Sequence, residues 1–121
     1  MVFSNNKETD QGGGVHVYFG GPIFVMHGGT ISGNNSGSWG GGIANEGVFL
    51  IGDGIIYGVN AASALQNSGA PGAALFTNHA GGAQSMYGAM NENSVFITSP
   101  GSTFADIAIN TTIEVVNGIL K

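Results

Sequence analysis

Histidines and carboxylates are the side chains from which this sequence would most readily build a catalytic or metal-binding site, since it contains no cysteine and no arginine. The three histidines, His16, His27 and His79, do not form an HxH or HExxH pattern, the spacing that lets one local segment hold a metal ion. We therefore predict that they are solvent-facing or turn residues. No metal and no other cofactor is expected.

Polysaccharide cleavage is the reaction that the carboxylates would support, because paired carboxylates hydrolyse glycosidic bonds. Glu46 and Asp53 could share a face, but no supporting motif surrounds them, and we predict that both are solvated turn residues. A lyase would need a basic residue, and the only lysines, Lys7 and Lys121, lie near the two ends of the sequence. The sequence therefore predicts a protein that is not an enzyme.

The charge balance and the lengths of the apolar stretches exclude two classes of partner. The chain has a formal net charge of −5, and only 7% of its residues are charged. Nucleic-acid binding depends on neutralising phosphates with lysine and arginine, so no nucleic acid is expected. No stretch approaches the roughly 20 apolar residues of a membrane-spanning helix, so no membrane insertion is expected.

Internal repeats organise the chain. The segment IFVMHGGTISG from Ile23 matches VFLIGDGIIYG from Val48 in its apolar residues and glycines. A glycine triplet stands ahead of each copy, at 12–14 and 40–42, and a weaker third copy begins at Gly72. The apolar runs are short and rich in β-branched and aromatic residues, which is typical of strands rather than helices.

These repeats predict an all-β fold, specifically a short right-handed parallel β-helix of about four to five rungs with Gly- and Asn-rich corners. A single domain spans 1–121, with rungs at about 1–39, 40–71 and 72–98 and a C-terminal closing segment at 99–121. An antiparallel sandwich is the rival, but Asn-Gly hairpin turns are missing except at Asn117-Gly118.

Stacked rungs predict a strand register and a polar ladder. Three pairs are expected in parallel register, each facing the interior: Ile23 with Val48, Val25 with Leu50, and Ile31 with Ile56. Phe49 is also expected inside. Four asparagines fall at nearly equivalent corner positions and are predicted to form a ladder of stacked amides: Asn6, Asn34, Asn35 and Asn60.

Three segments resemble a family of large bacterial surface proteins with Gly-Gly-Thr-Ile-Ser-Gly-Asn repeats, related to the repeats of polymorphic outer-membrane and autotransporter proteins. They are GGTISGNNS followed by GGGI within 28–43, GAALFTNHAGGAQSMYG at 72–88, and NTTIEVVNGIL at 110–120. The resemblance implies that each repeat is a β-helix rung. It also implies a structural or adhesive role at the bacterial cell surface, so we expect an extracellular protein, although no signal peptide is visible in the chain.

The two ends of the predicted stack suggest how such a protein would act. Six apolar residues are predicted to form its self-association ends: Val2 and Phe3 at one end, and Ile113, Val115, Ile119 and Leu120 at the other. Open ends favour head-to-tail stacking into a fibre, or contact with neighbouring rungs of a longer chain. The alternative is an adhesin-like module that binds glycans or a host protein through exposed aromatic residues.

Overall fold

The computed structural model describes residues 2–8, 11–18, 22–78, 85–91, 94–97 and 106–120. Within these ranges the chain is all-β, and no helix there is long and apolar enough to cross a membrane. The strands, in chain order, are β1 Val2–Ser4, β2 Lys7–Glu8, β3 Val15–Val17, β4 Ile23–Met26, β5 Thr30–Ser32, β6 Asn35–Ser36, β7 Ile43–Asn45, β8 Val48–Ile51, β9 Gly54–Ile56, β10 Leu75–Thr77, β11 Met86–Asn91, β12 Ser94–Ile97, β13 Ile107–Ile109, β14 Ile113–Val116 and β15 Ile119–Leu120.

The strands form separate sheets with mixed pairing. The three larger sheets have the orders β1-β5-β9-β14-β15, β13-β10-β7-β3 and β12-β11-β8-β4, and β2 pairs with β6 alone. Successive chain segments add one parallel strand to each sheet. We call β1–β4 the first layer, β5–β8 the second layer and β9–β11 the third layer. The closing strands, β12–β15, follow and pair antiparallel.

The predicted strand register is confirmed. Ile23 pairs in parallel with Val48 and Val25 with Leu50, while Ile31 pairs in parallel with Ile56. The predicted interior position is correct for Ile31, Ile56 and Phe49, which are fully buried.

The predicted facing of the first two pairs is wrong. Ile23 is 64% exposed, and it is Phe24 that packs against the core together with Phe49. Successive residues of a strand point to opposite sides of a sheet, so Ile23 and Val25 lie on the side away from the core cluster, together with Val48 and Leu50 on β8, although Leu50 is itself buried. Both faces of this sheet carry apolar residues, which is why the hydrophobic pattern alone did not distinguish inside from outside.

Three aromatic rings stack inside the molecule, one from each layer. The ring centroids of Phe24 and Phe49 are 5.5 Å apart, and those of Phe49 and Tyr87 are 6.0 Å apart, with nearly parallel planes. Phe49 and Tyr87 are fully buried, whereas Phe24 in the first layer is only half-buried. The burial of the three stacked rings therefore decreases toward the first layer.

Tyr87 predicts how stability depends on alkaline pH. Burial raises the pKa of Tyr87 from 10.0 to about 12, so the folded chain keeps the phenol neutral after the unfolded chain has begun to ionise. The free energy of unfolding should be unaffected by this group below pH 10 and should fall between about pH 10 and about pH 12. Denaturant unfolding at a series of alkaline pH values tests this, and Tyr87→Phe should lose that part of the dependence. An identical alkaline decline in both proteins would contradict it.

Equivalent glycines turn the chain at one corner of every layer. Gly12, Gly40 and Gly72 have φ of +69°, +74° and +79°, a region that side chains disfavour. At Gly41, the residue after Gly40, an added Cβ would lie 2.5 Å from the carbonyl carbon and oxygen of Ser68. The corner glycines are thus required by backbone conformation and by the close approach of one layer to the next.

Gly41→Ala is expected to destabilise the chain by about 1–3 kcal/mol, because the neighbouring atoms are backbone and cannot rotate away. Gly28→Ala is the matched control, since nothing lies within 4 Å of a Cβ at that position. The control should change the free energy of unfolding by less than about 0.5 kcal/mol. Thermal unfolding of the two variants compares them, and equal melting temperatures would show that the layers are not in close contact at this corner.

Candidate functional site

The candidate catalytic side chains are used in isolated structural contacts. His16 Nε2 lies 2.9 Å from Glu46 Oε1, joining β3 to the segment after β7 at the surface. The Asp53 carboxylate accepts a hydrogen bond from the Asn117 backbone N–H at 2.9 Å. Glu46 and Asp53 thus each hold a different part of the chain. No group of three metal-ligating side chains occurs among the described residues, which do not include His79.

An asparagine ladder runs through the three layers beside the glycine corner. Asn34 Oδ1 accepts hydrogen bonds from the backbone N–H and the Nδ2 of Asn6, both at 2.9 Å. Asn67 Oδ1 accepts the same two bonds from Asn34, at 2.9 and 3.0 Å. Each amide also reaches back to the preceding layer, since Asn34 Nδ2 donates to Phe3 O and Asn67 Nδ2 donates to Ile31 O.

The predicted ladder needs correction in two of its four members. Asn35 is exposed and its Nδ2 donates to Ser68 Oγ, while Asn60 Oδ1 accepts from the backbone and hydroxyl of Thr112. The third position belongs to Asn67, which is fully buried. Counting back from the glycine corner would have found it, because Asn67 precedes Gly72 much as Asn34 precedes Gly40.

An inserted loop explains why equal spacing failed at the third layer. Between Gly58 and Asn67 the chain makes its own turn, in which Leu65 N–H and Gln66 N–H both donate to Ala62 O. The Gln66 side chain also donates to Ala61 O at 2.8 Å. The loop satisfies some of its polar groups internally, and Leu65 O accepts a hydrogen bond from Gly33 N–H of the second layer. The insertion therefore packs against the stack, and Asn67 still reaches the ladder.

All strands of the first layer lie at sheet edges, and their outer edges form what we call the open face. No described strand pairs with β1, β2, β3 or β4 on that side. Val2 and Ile23, which belong to these strands, are 67% and 64% exposed. The inward-pointing Phe3, Val15 and Phe24 are only partly buried there, although their partners in the second layer are fully buried.

The backbone of β4 shows which polar groups point outward. Pro22 O accepts from Val48 N–H and Met26 O accepts from Gly52 N–H, so every second residue from Pro22 to Met26 is directed toward β8. Hydrogen-bonding groups alternate along a parallel strand. The N–H and C=O groups of Ile23 and Val25 therefore point to the open face, where no described strand pairs with them.

The opposite end is closed, which corrects the predicted apolar C-terminal end. Ile113 and Val115 are 3% and 1% exposed and belong to the core, because β14 covers β9. Ile119 is 58% exposed, and the side chain of Leu120 lies outside the described residues. Of the six predicted association residues, Val2 and Phe3 alone lie on the open face.

Hydrogen bonds and side-chain volume both close this end at the glycine corner. Asn110 Oδ1 accepts from the N–H groups of Gly72 and Ala73, at 3.1 and 3.0 Å. A Cβ at Gly13 would lie 2.5 Å from Gly41 O, and a Cβ at Gly41 would lie 2.6 Å from Ala73 O. The Cα–Cβ direction at this corner therefore points toward the next layer. The third layer carries Ala73 where the others carry glycine, and the closing segment covers it.

Comparison with known proteins identifies no relative: no protein-family model, no curated protein and no solved structure matches the chain. The geometry itself distinguishes two ends. Strand edges that no described strand pairs with occur at both ends, on β1–β4 at one and on β12, β13 and β15 at the other. At the first-layer end Phe3, Val15 and Phe24 of the core are partly exposed, whereas at the other end β14 covers the fully buried Ile56. The open face is therefore the candidate functional site.

Proposed function

We propose that the chain is a non-enzymatic structural protein of the bacterial cell surface, built as a short right-handed parallel β-helix, which self-associates through its open face. The proposal rests chiefly on one observation, that core side chains of the first layer are less buried than their partners in the second layer. Phe3, Val15 and Phe24 are partly buried, whereas Ile31, Ile43 and Phe49 beneath them are fully buried. Exposed apolar surface combined with unpaired strand edges favours association.

The parallel pairing of successive segments supports the β-helix. Each of the three larger sheets takes one strand from each layer, in the same chain order. The glycine corner and the asparagine ladder recur between layers, as a coil that closes one turn per layer would require. The resemblance of 28–43 to repeats of bacterial surface proteins supports the extracellular location.

A closed second end changes the expected mode of assembly. Head-to-tail stacking needs two complementary ends and propagates into a fibre. Because β14 covers the core at Ile113 and Val115, we propose that two copies associate through their open faces instead, which gives a finite dimer. Glycan binding would be favoured by several exposed aromatic rings, but Tyr18 is the exposed one among the described Tyr and Trp side chains.

Substitution at the two ends tests this proposal. Ile23→Asp places a charge on the open face, and Ile119→Asp is the matched control because both residues are similarly exposed, at 64% and 58%. Analytical ultracentrifugation of the unmodified chain should show a concentration-dependent dimer. Ile23→Asp should raise the dimer dissociation constant roughly tenfold or more, the equivalent of one buried apolar side chain, while the control should not change it. A strictly monomeric chain, or equal effects of both substitutions, would refute the proposal.

A further inference from the structure

We infer that two copies associate by antiparallel pairing of their β4 strands about a two-fold axis through Phe24, so that the sheet β12-β11-β8-β4 continues into the second copy. This pairing presupposes the proposed self-association and specifies its strand, its register and the residues that meet. It is supported by the direction of the β4 backbone groups, by the half-buried Phe24 ring at the end of the aromatic stack, and by the absence of charged residues from β4.

Among the edge strands of the first layer, β4 is the best suited to pair with another strand. It has four residues, whereas β1 and β3 have three and β2 has two. Natural edge strands avoid pairing by being very short or by carrying charge, and β2, formed by the exposed Lys7 and Glu8, has both features. Pairing confined to β4 also leaves the glycine corner out of the contact, where Gly13 is already buried.

The backbone of β4 restricts the register of such a pair. Within this strand, Ile23 and Val25 are the residues whose N–H and C=O groups point away from β8. Residues that face each other in an antiparallel pair through these groups exchange both of their N–H···O bonds. Ile23 opposite Val25 of the second copy satisfies both residues in both copies. Ile23 opposite Ile23, or Val25 opposite Val25, satisfies one residue of β4 in each copy.

The aromatic stack favours the same register. Phe24 then faces Phe24 of the second copy as a non-hydrogen-bonded pair, in which the Cα atoms are about 4.5 Å apart and the side chains are closest. Within one copy, the ring centroid of Phe24 is 5.5 Å from that of Phe49, which is 6.0 Å from that of Tyr87. The two-fold axis therefore joins two stacks end to end and buries the half-exposed Phe24 rings between them.

The closing end of a second copy offers a poorer partner for β4. Strands β13 and β15 have three and two residues, and the register between β11 and β12 is irregular between Ala89 and Asn91. Short strands and bulges both disfavour pairing at an edge. Pairing of β4 with β4 joins two edges of equal length and uncharged sequence, and its two-fold symmetry gives a closed dimer rather than a fibre.

Cysteine cross-linking tests the register, because the chain contains no cysteine and a single introduced thiol reports one contact. Phe24→Cys is the central variant, and Ile119→Cys is the control, since Ile119 is 58% exposed but lies on β15. Under mild oxidation, Phe24→Cys should form a disulfide-linked dimer at least roughly tenfold faster than the control, because opposite Cα atoms about 4.5 Å apart lie within the span of a disulfide.

Two further variants keep the test independent of the loss of the Phe24 ring. Ile23→Cys and Val25→Cys leave the aromatic stack intact, and in a mixture they should cross-link to each other faster than either does to itself. Faster self-cross-linking of Ile23→Cys or Val25→Cys would overturn the register. If none of the three variants cross-links while the unmodified chain still dimerises in the ultracentrifuge, β4 pairing is wrong and self-association stands. A monomeric unmodified chain would overturn both.

Discussion

Asn34→Asp should strongly destabilise the chain at neutral pH, although the two side chains have nearly the same shape. Asn34 is fully buried, and its Nδ2 donates to Phe3 O and to Asn67 Oδ1. A carboxylate would replace these donors with an oxygen facing two oxygens, and it would bury a charge. The expected cost is about 3–5 kcal/mol, a large share of the stability of a small domain.

The stability lost in Asn34→Asp should also depend on pH. Burial near acceptors favours the neutral form, so the pKa of the introduced carboxyl is higher in the folded chain than its unfolded value of about 3.9. The folded state then binds more protons, and the loss of stability relative to the parent should shrink as the pH falls toward about 4.

Asn35→Asp is the matched control for the ladder. Asn35 is the next residue, is exposed, and donates through Nδ2 to Ser68 Oγ. Its replacement should cost less than about 1 kcal/mol, with little pH dependence. Urea unfolding of both variants at several pH values makes the comparison. If the two lose equal stability, the buried ladder does not support the stack.

Ile56→Asp should abolish cooperative folding. Ile56 is fully buried and lies between Ile31 on β5 and Ile113 on β14. The substitution removes a core side chain and buries an unpaired charge, and the combined cost exceeds about 4 kcal/mol. Ile55→Asp is the control, because Ile55 points outward opposite Thr30 and Glu114. The like charge of Glu114 adds less than about 1 kcal/mol there. Circular dichroism during thermal unfolding distinguishes them, and a normal melt of Ile56→Asp would place this residue outside the core.

The parallel pairing of successive layers was predictable because it depends on local features of the sequence that repeat along the chain. The glycine corners at Gly12 and Gly40 and the matching apolar segments from Ile23 and Val48 specify where successive strands align. A shift of one residue would place the wrong side chains together, and the repeats exclude it. The repeats could not specify which residues of a strand face the core, because Phe24, which faces it, and Val25, which faces away from it, are both apolar.

The closing strands were not predictable from repeats, since they depend on long-range pairing. β13 and β14 return to pair antiparallel with β10 and β9. A first local signal was Asn117-Gly118, where φ of +50° and +74° forms the tight turn between β14 and β15. The change from glycine to Ala73 at the corner was a second signal, because a Cβ at this corner points toward the following layer, where a further coil would have to lie.

The open candidate site likewise followed in part from the sequence. Val2 and Phe3 are two of the predicted self-association residues, and both belong to the edge strand β1. The closed end was missed, because apolar Ile113 and Val115 in a sequence do not reveal whether another strand covers them. Burial of these two residues arises from the antiparallel return of β14 onto β9.

Hydrogen exchange at single amides tests the central claim, that one end is open and the other closed, most directly. In dilute solution the N–H groups of Ile23 and Val25 should exchange rapidly. Those of Val48 and Tyr57, which donate to Pro22 O and Ile31 O inside the stack, should exchange slowly. Raising the protein concentration should slow exchange at Ile23 and Val25 as the open faces meet. Strong protection of these two amides in a dilute monomer would contradict the account.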